Sequence, residues 1–267
     1  MGKFKISREK VIYYKDEIND DFSNTNIDII PLPDNYIYMH KNIFWRFFSF
    51  ILYFVIAKPI IYLIVKLLYA HRFGNKNKIK EVKKCGAILY GNHTTKIADA
   101  FVPNLLLGNR RNYIISSPET MSIKGIRTLL AMLGVLPLTN KLSLKKELLR
   151  CLKTRLNQNA LITIYPEAHI WPYYTKIRNF DETSFKYAAL FNKPVYAITT
   201  CYQKRKIIKR PKIVTYLDGP FYPKEELNTN ENAKYLRDLV YDAMNERAKK
   251  YSTYEYIKYV KINDSNH

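Results

Sequence analysis
Three short apolar runs constrain the fold most: GAILY at 86–90, ALITI at 160–164 and PVYAITT at 194–200. Each is uncharged, bounded by turn residues or charges, and short for a helix, so each reads as a buried strand. The stretches between them carry helical spacing. ADAFVPNLLLG from about Asp99, GIRTLLAMLG, LSLKKELLRCLKTRLNQN and SFKYAALFN are helical, and NYIIS, VLPL and KIVTYLDGPF are further strands. A last amphipathic helix is predicted from about Glu231 to Tyr251. Such alternation predicts an α/β fold with a mixed sheet flanked by helices.

Upstream lies a different kind of segment. Residues 43–70, IFWRFFSFILYFVIAKPIIYLIVKLLYA, are the most apolar part of the chain, but Lys58-Pro59 interrupts them. A spanning helix needs about 20 predominantly apolar residues, and proline breaks or kinks a helix. The expectation is therefore two short helices lying in the membrane interface. Trp45, Tyr53, Tyr62 and Tyr69 would sit at the head groups, with Arg46, Lys58, Lys66 and Arg72 on phosphates. A kinked span and a pair of core helices are the competing readings. The predicted organisation is a polar lead-in (1–42), a membrane-associated two-helix segment (43–75), an α/β domain (76–255) and a tail (256–267). The polar first forty residues do not resemble a signal peptide, so the expected location is the cytoplasmic face of the cell membrane, peripheral or monotopic.

Composition narrows the partners without choosing one. Hydrophobic residues at 47% are enough for a large core. Lys and Arg number 44 against 23 acids, a net charge of +21, which attracts nucleic acid, acidic carrier proteins or an anionic lipid surface. No nucleic-acid-binding signature accompanies that charge, so nucleic acid is not an expected partner. Cys85, Cys151 and Cys201 stand too far apart for a zinc site and read as reduced thiols, with Cys151 on the core side of its helix.

The chemistry concentrates at the ends of two strands. GAILY runs into Gly91-Asn92-His93, with Asp99 six positions beyond His93, and ALITI runs into Tyr165-Pro166-Glu167-Ala168-His169. The segments NHTTKIAD, GVLPLTN, YPEAHI and KPVYAI occur in the order of four blocks, N-H-x4-D, G-x-x-F-I-x-R, F-P-E-G-T-R and V-P-V-x-P-V. In this the chain resembles the glycerolipid acyltransferase family, of the 1-acyl-glycerol-3-phosphate acyltransferase type, over about residues 80–225. The His–Asp spacing is one residue longer than that family's. Asn140 and the Ala168-His169-Ile170 run replace its two arginines.

The resemblance implies transfer of a fatty acyl group from a thioester donor, acyl-CoA or acyl carrier protein, to the hydroxyl of a lysophospholipid. No metal or cofactor is expected. His93 would be the general base and Asp99 its orienter, because a glycerol hydroxyl attacks a thioester only as it loses its proton. Glu167 and Asn92 would order the acceptor or the catalytic loop. Lys141, His169, Lys176 and Arg178 are the candidate phosphate contacts in place of the displaced arginines. Lys141, Lys145, Lys146, Arg150, Lys153 and Arg155 lie along one helix, either as a solvated face or as a contact for anionic lipid or carrier protein. A catalytically silent lipid-binding relative is the principal alternative, and a nucleic-acid-binding protein the more remote one.

Overall fold
The computed structural model describes residues 10–23, 30–75, 77–78, 85–95, 98–106, 110–122 and 125–262. The expected boundary between apolar segment and domain, at 75/76, runs into residue 76, outside the described residues. β1 (Val11–Tyr14) pairs in parallel with β9 (Lys258–Lys261), so the lead-in and the tail close on each other in a small sheet. The main sheet has seven strands: β2 (Arg72–Phe73), β3 (Ala87–Gly91), β4 (Asn112–Ser116), β5 (Val135–Pro137), β6 (Leu161–Ile164), β7 (Val195–Gln203) and β8 (Lys212–Phe221). Their order is β2-β8-β7-β3-β6-β4-β5. Neighbours from β7 to β5 are parallel, and β8 runs antiparallel to β7, so the sheet is mixed as expected.

Helices cover both faces. They are α1 (Ile43–Tyr69), α2 (Ala98–Leu106), α3 (Arg127–Met132), α4 (Leu142–Asn157), α5 (Lys186–Phe191) and α6 (Thr229–Tyr251). Successive strand side chains point to opposite faces. Ile88 and Tyr90 accordingly pack with Leu148 and Leu152 of α4 and Leu236 and Val240 of α6. Ala87 and Leu89 pack with Val102 of α2 and with Ile61, Val65 and Tyr69 of α1. Cys151 is buried on the core side of α4, as its helical position predicts.

The expected break at Lys58-Pro59 does not occur. α1 is one helix of 27 residues whose middle, Ile51–Ala57, is π-helical. The Lys58 N–H bonds to the carbonyl of Tyr53, five residues back. A proline ring clashes with the carbonyl four residues before it. One widened turn shifts that carbonyl, so the chain passes through Pro59 without ending. By length and composition α1 is able to cross a membrane. Tyr53 and Tyr69, expected at the head groups, are instead buried against the domain, while Tyr62 is exposed.

His71 lies where α1 meets the sheet, buried, with its ring 3.0 Å from Thr215 Oγ1. Burial first, and then the charge of Lys66, lower its pKa to about 4. The unfolded chain takes up this proton near an ordinary histidine value of about 6.5, whereas the folded chain resists it down to about 4. Because the unfolded state binds the proton first, folding stability falls as pH drops through that window. The loss amounts to about 3 kcal/mol for this group. Urea midpoints at pH 7 and pH 4.5 will show the loss, and His71→Gln will flatten that part of the profile.

Candidate active site
The parallel pairing of β3 with β6 sets Tyr90 beside Ile164, so both strands deliver their loops to one edge of the sheet. α/β sheets bind ligands at such C-terminal edges. The last position of β3 is glycine, and a Cβ there would come within 2.6 Å of the Tyr165 ring. That ring in turn stacks on the His93 imidazole, centroids 4.6 Å apart and planes 19° from parallel. Between them Asn92 clasps the backbone of β7. Its Oδ1 accepts from Thr200 N at 2.8 Å and its Nδ2 donates to Thr200 O at 3.1 Å. Asn92 is thus a buried fastener of the loop, and neither oxygen nor nitrogen is turned to a substrate.

The loop that carries His93 is tied on every side. His93 O and Thr94 O accept from Trp171 N and Tyr173 N at 3.0 and 2.9 Å, and Tyr202 Oη donates to Thr94 Oγ1 at 2.7 Å. Asp99, buried in the first turn of α2, receives the loop's donors. Its Oδ2 accepts from Thr94 N at 2.7 Å and Thr95 N at 2.8 Å, and its Oδ1 from Thr95 Oγ1 at 2.8 Å. The Asp99 N–H closes the ring onto Thr95 Oγ1 at 3.0 Å. This is the reciprocal logic of a capping box stretched by one residue. The stretch explains how six positions suffice: converging loop N–H groups bring the carboxylate back toward the histidine.

His93 Nδ1 then stands 3.0 Å from Asp99 Oδ2. With the carboxylate ionised, Nδ1 carries the hydrogen and Nε2 keeps its lone pair. The His93 side chain is 19% exposed, and it lines an apolar cavity of about 420 Å³. The cavity runs between Tyr53, Ala57 and Ile61 of α1, Phe101 of α2, Ile115 of β4 and Tyr165. A neutral imidazole held by a carboxylate at the end of an apolar pocket is equipped to take a proton from a hydroxyl.

Glu167 is buried and does not reach into that cavity. Its Oε2 accepts from His93 N at 2.9 Å and lies 3.3 Å from Arg178 Nη2, while Oε1 accepts from Arg178 N at 3.0 Å. Burial raises its pKa against the pull of Arg178 and of these N–H donors. Arg178 also donates to His169 O, and its guanidinium stacks over Trp171 at 5.0 Å. Arg178 is therefore a buried counter-ion, not a phosphate contact. Trp171 itself is fully buried and stacks on Tyr259 of β9 at 4.9 Å, which fixes the loop after Glu167 from behind.

The other predicted phosphate contacts disperse. Lys141 Nζ bonds Leu32 O at 2.8 Å and Asp34 Oδ1 at 2.5 Å, which pins the lead-in to α4. Lys176 is exposed, and His169 is half-buried; neither is among the residues lining the cavity. The cation that does line it is Lys58, from the interruption in the apolar segment. Sequence reasoning missed Thr94, Thr95 and Tyr165. The paired threonines four and five residues before an aspartate were the available signal for a lengthened cap. Among the described residues no three His, Cys, Asp or Glu side chains group as a metal site.

Ala168 lines the same cavity with φ of 61°, in the left-handed region. A residue with a Cβ pays for that conformation, and glycine does not. Ala168→Gly should raise stability by about 0.5–1 kcal/mol, read as a shift of the urea midpoint without a change in slope.

No curated protein matches the chain. A crystal structure of a 1-acyl-sn-glycerophosphate (LPA) acyltransferase, PlsC, from Thermotoga maritima aligns with a TM-score of 0.43 at 16% identity. The alignment covers 76% of this chain and 93% of that one. Residues 71–202 match the family model described as Acyltransferase, so the part of the chain that contains His93, Asp99 and Glu167 is similar to that family.

Proposed function
We propose that this protein transfers a fatty acyl group from a thioester, acyl-CoA or acyl carrier protein, to the free hydroxyl of a lysophospholipid at a membrane surface. Its favoured acceptor is 1-acyl-glycerol-3-phosphate. One observation carries the reading: the apolar cavity that ends at His93 has the apolar helix α1 as a wall. An acyl chain is thereby able to pass from the surface that α1 meets to the catalytic edge without crossing water.

The chemistry needs no covalent enzyme intermediate. His93 Nε2 takes the acceptor hydroxyl proton as its oxygen bonds to the thioester carbonyl carbon. The tetrahedral adduct collapses, the carbon–sulfur bond breaks, and the imidazolium returns the proton to the departing thiolate. Asp99 holds the tautomer and stabilises the imidazolium between those steps. Lys58 supplies an ammonium to an acceptor phosphate at the cavity wall.

The burial pattern of α1 supports a helix that lies along the membrane. Ser49, Tyr53, Ile61, Val65 and Tyr69 are buried along one stripe, whereas Phe44, Phe48, Ile56, Ile60, Leu63 and Leu67 are exposed. A stripe sealed by the domain over that length leaves the other faces for lipid. The turn between β7 and β8 adds a second contact, with Ile207 95% exposed among Lys204, Arg205, Lys206, Lys209 and Arg210. Arg205 Nη2 bonds Leu68 O at 2.7 Å, so this basic tip sits at the C-terminal end of α1.

The test follows thiol release from a long-chain acyl-CoA in mixed anionic vesicles. Release should require 1-acyl-glycerol-3-phosphate and yield the diacyl product. Release that ignores every lysolipid offered would overturn the proposed function.

A further inference from the structure
A second cavity, of about 590 Å³, lies beside the N-terminal half of α1, away from His93. Among the described residues its lining includes four cations, Lys41, Arg46, Arg111 and Arg155, and not one aspartate or glutamate. Two of these cations face a common ring. The guanidinium carbons of Arg111 and Arg155 stand 5.3 and 5.0 Å from the centre of Tyr113. Arg111 is held by Ser49 Oγ at 2.8 Å and by Met132 O, and Arg155 by Gln158 Oε1 at 3.0 Å. The Nε atom of each is buried with no hydrogen-bond partner among the described residues. Two half-buried guanidiniums without a carboxylate repel each other and lose hydration, a cost that a bound anion offsets.

The remaining wall says what kind of anion. Trp45, Phe50 and Phe54 of α1 line the same cavity, and Phe50 is also exposed beside Phe47 and Phe48 on the surface of that helix. A ligand with a negative head and an apolar continuation satisfies both parts. We infer that this cavity binds the phosphate head group of an anionic glycerophospholipid, with its chains laid along Phe50 and Phe54. It is a site for a resident lipid distinct from the catalytic cavity, with which it shares Val135 alone among the lining residues.

The full chain is to be titrated with dihexanoyl phosphatidylglycerol below its micelle-forming concentration, with Trp45 fluorescence as the signal and Trp45→Phe as its control. Dihexanoyl phosphatidylcholine, inorganic phosphate and coenzyme A are titrated in parallel. Saturable binding of the phosphatidylglycerol is expected, weakened at least about tenfold by Arg155→Gln, which removes a charge-assisted contact. His93→Ala should bind as wild type does, so a failure of the catalytic reading leaves this result untouched. Arg155→Gln is preferred to a change at Arg111, whose bonds to Ser49 and Met132 tie α1 to α3. No saturable binding, or binding indifferent to Arg155→Gln, overturns the inference. Equal affinity for phosphatidylcholine overturns the choice of an anionic head group. Equal affinity for inorganic phosphate or coenzyme A, with the same sensitivity to Arg155→Gln, assigns the site to a soluble phosphate and overturns the lipid assignment.

Discussion
With His93 as the proposed general base, His93→Ala should lower acyl transfer by about 10²–10⁴-fold, the range a positioned general base contributes. The variant should keep its fold. Among the described residues the imidazole makes one polar contact, to Asp99, and the carboxylate retains three other donors, from Thr94 and Thr95, when the ring is gone. Loss of rate with an unchanged urea midpoint is thus the expected pair of results. Full activity in a folded His93→Ala protein would remove the histidine from the mechanism. Asp99→Asn is a poorer test, because an amide group would set a donor against the N–H groups that now converge there, and stability would change along with the tautomer.

Glu167→Ala has the largest expected effect on stability, a loss of about 3–5 kcal/mol, since it strands a buried guanidinium. Arg178 is 1% exposed and has this one carboxylate within ion-pair distance among the described residues. The backbone N–H groups of His93 and Arg178 lose their acceptor in the same step. Activity should fall with the folded fraction and recover in part at low temperature or in the Glu167→Ala/Arg178→Met double variant, where neither charge remains. A Glu167→Ala protein as stable as wild type, with only its acceptor affinity reduced, would mean that the carboxylate meets substrate instead of Arg178.

The fold was legible because its strands are short, uncharged and framed by turns. GAILY, ALITI and PVYAITT all became central strands, and the helices between them follow their apolar spacing. Three things were not legible. β1 and β9 are brief edge pieces whose partners lie at opposite ends of the chain, and no local pattern encodes such a pairing. The continuity of α1 through Pro59 depends on a π turn, which has no sequence signal of its own. The third was the use of charge. Arg178, Lys141 and Glu167 were candidate contacts by position, yet burial and the partners Glu167, Asp34 and Arg178 decide what each does, and those partners come from tertiary packing. The His93–Asp99 pair was readable because its geometry is local, six residues closed by two threonines.

The buried stripe along α1 bears on how the reaction must be counted. On the proposed reading of α1 as a helix that lies along the membrane, a domain fastened to it from Ser49 to Tyr69 would rest on one monolayer, and the proposed lysolipid acceptor would enter sideways from that leaflet and its product leave into it. Turnover should then follow the mole fraction of acceptor in the surface, and diluting the vesicles in buffer should matter far less than diluting the lysolipid among other lipids.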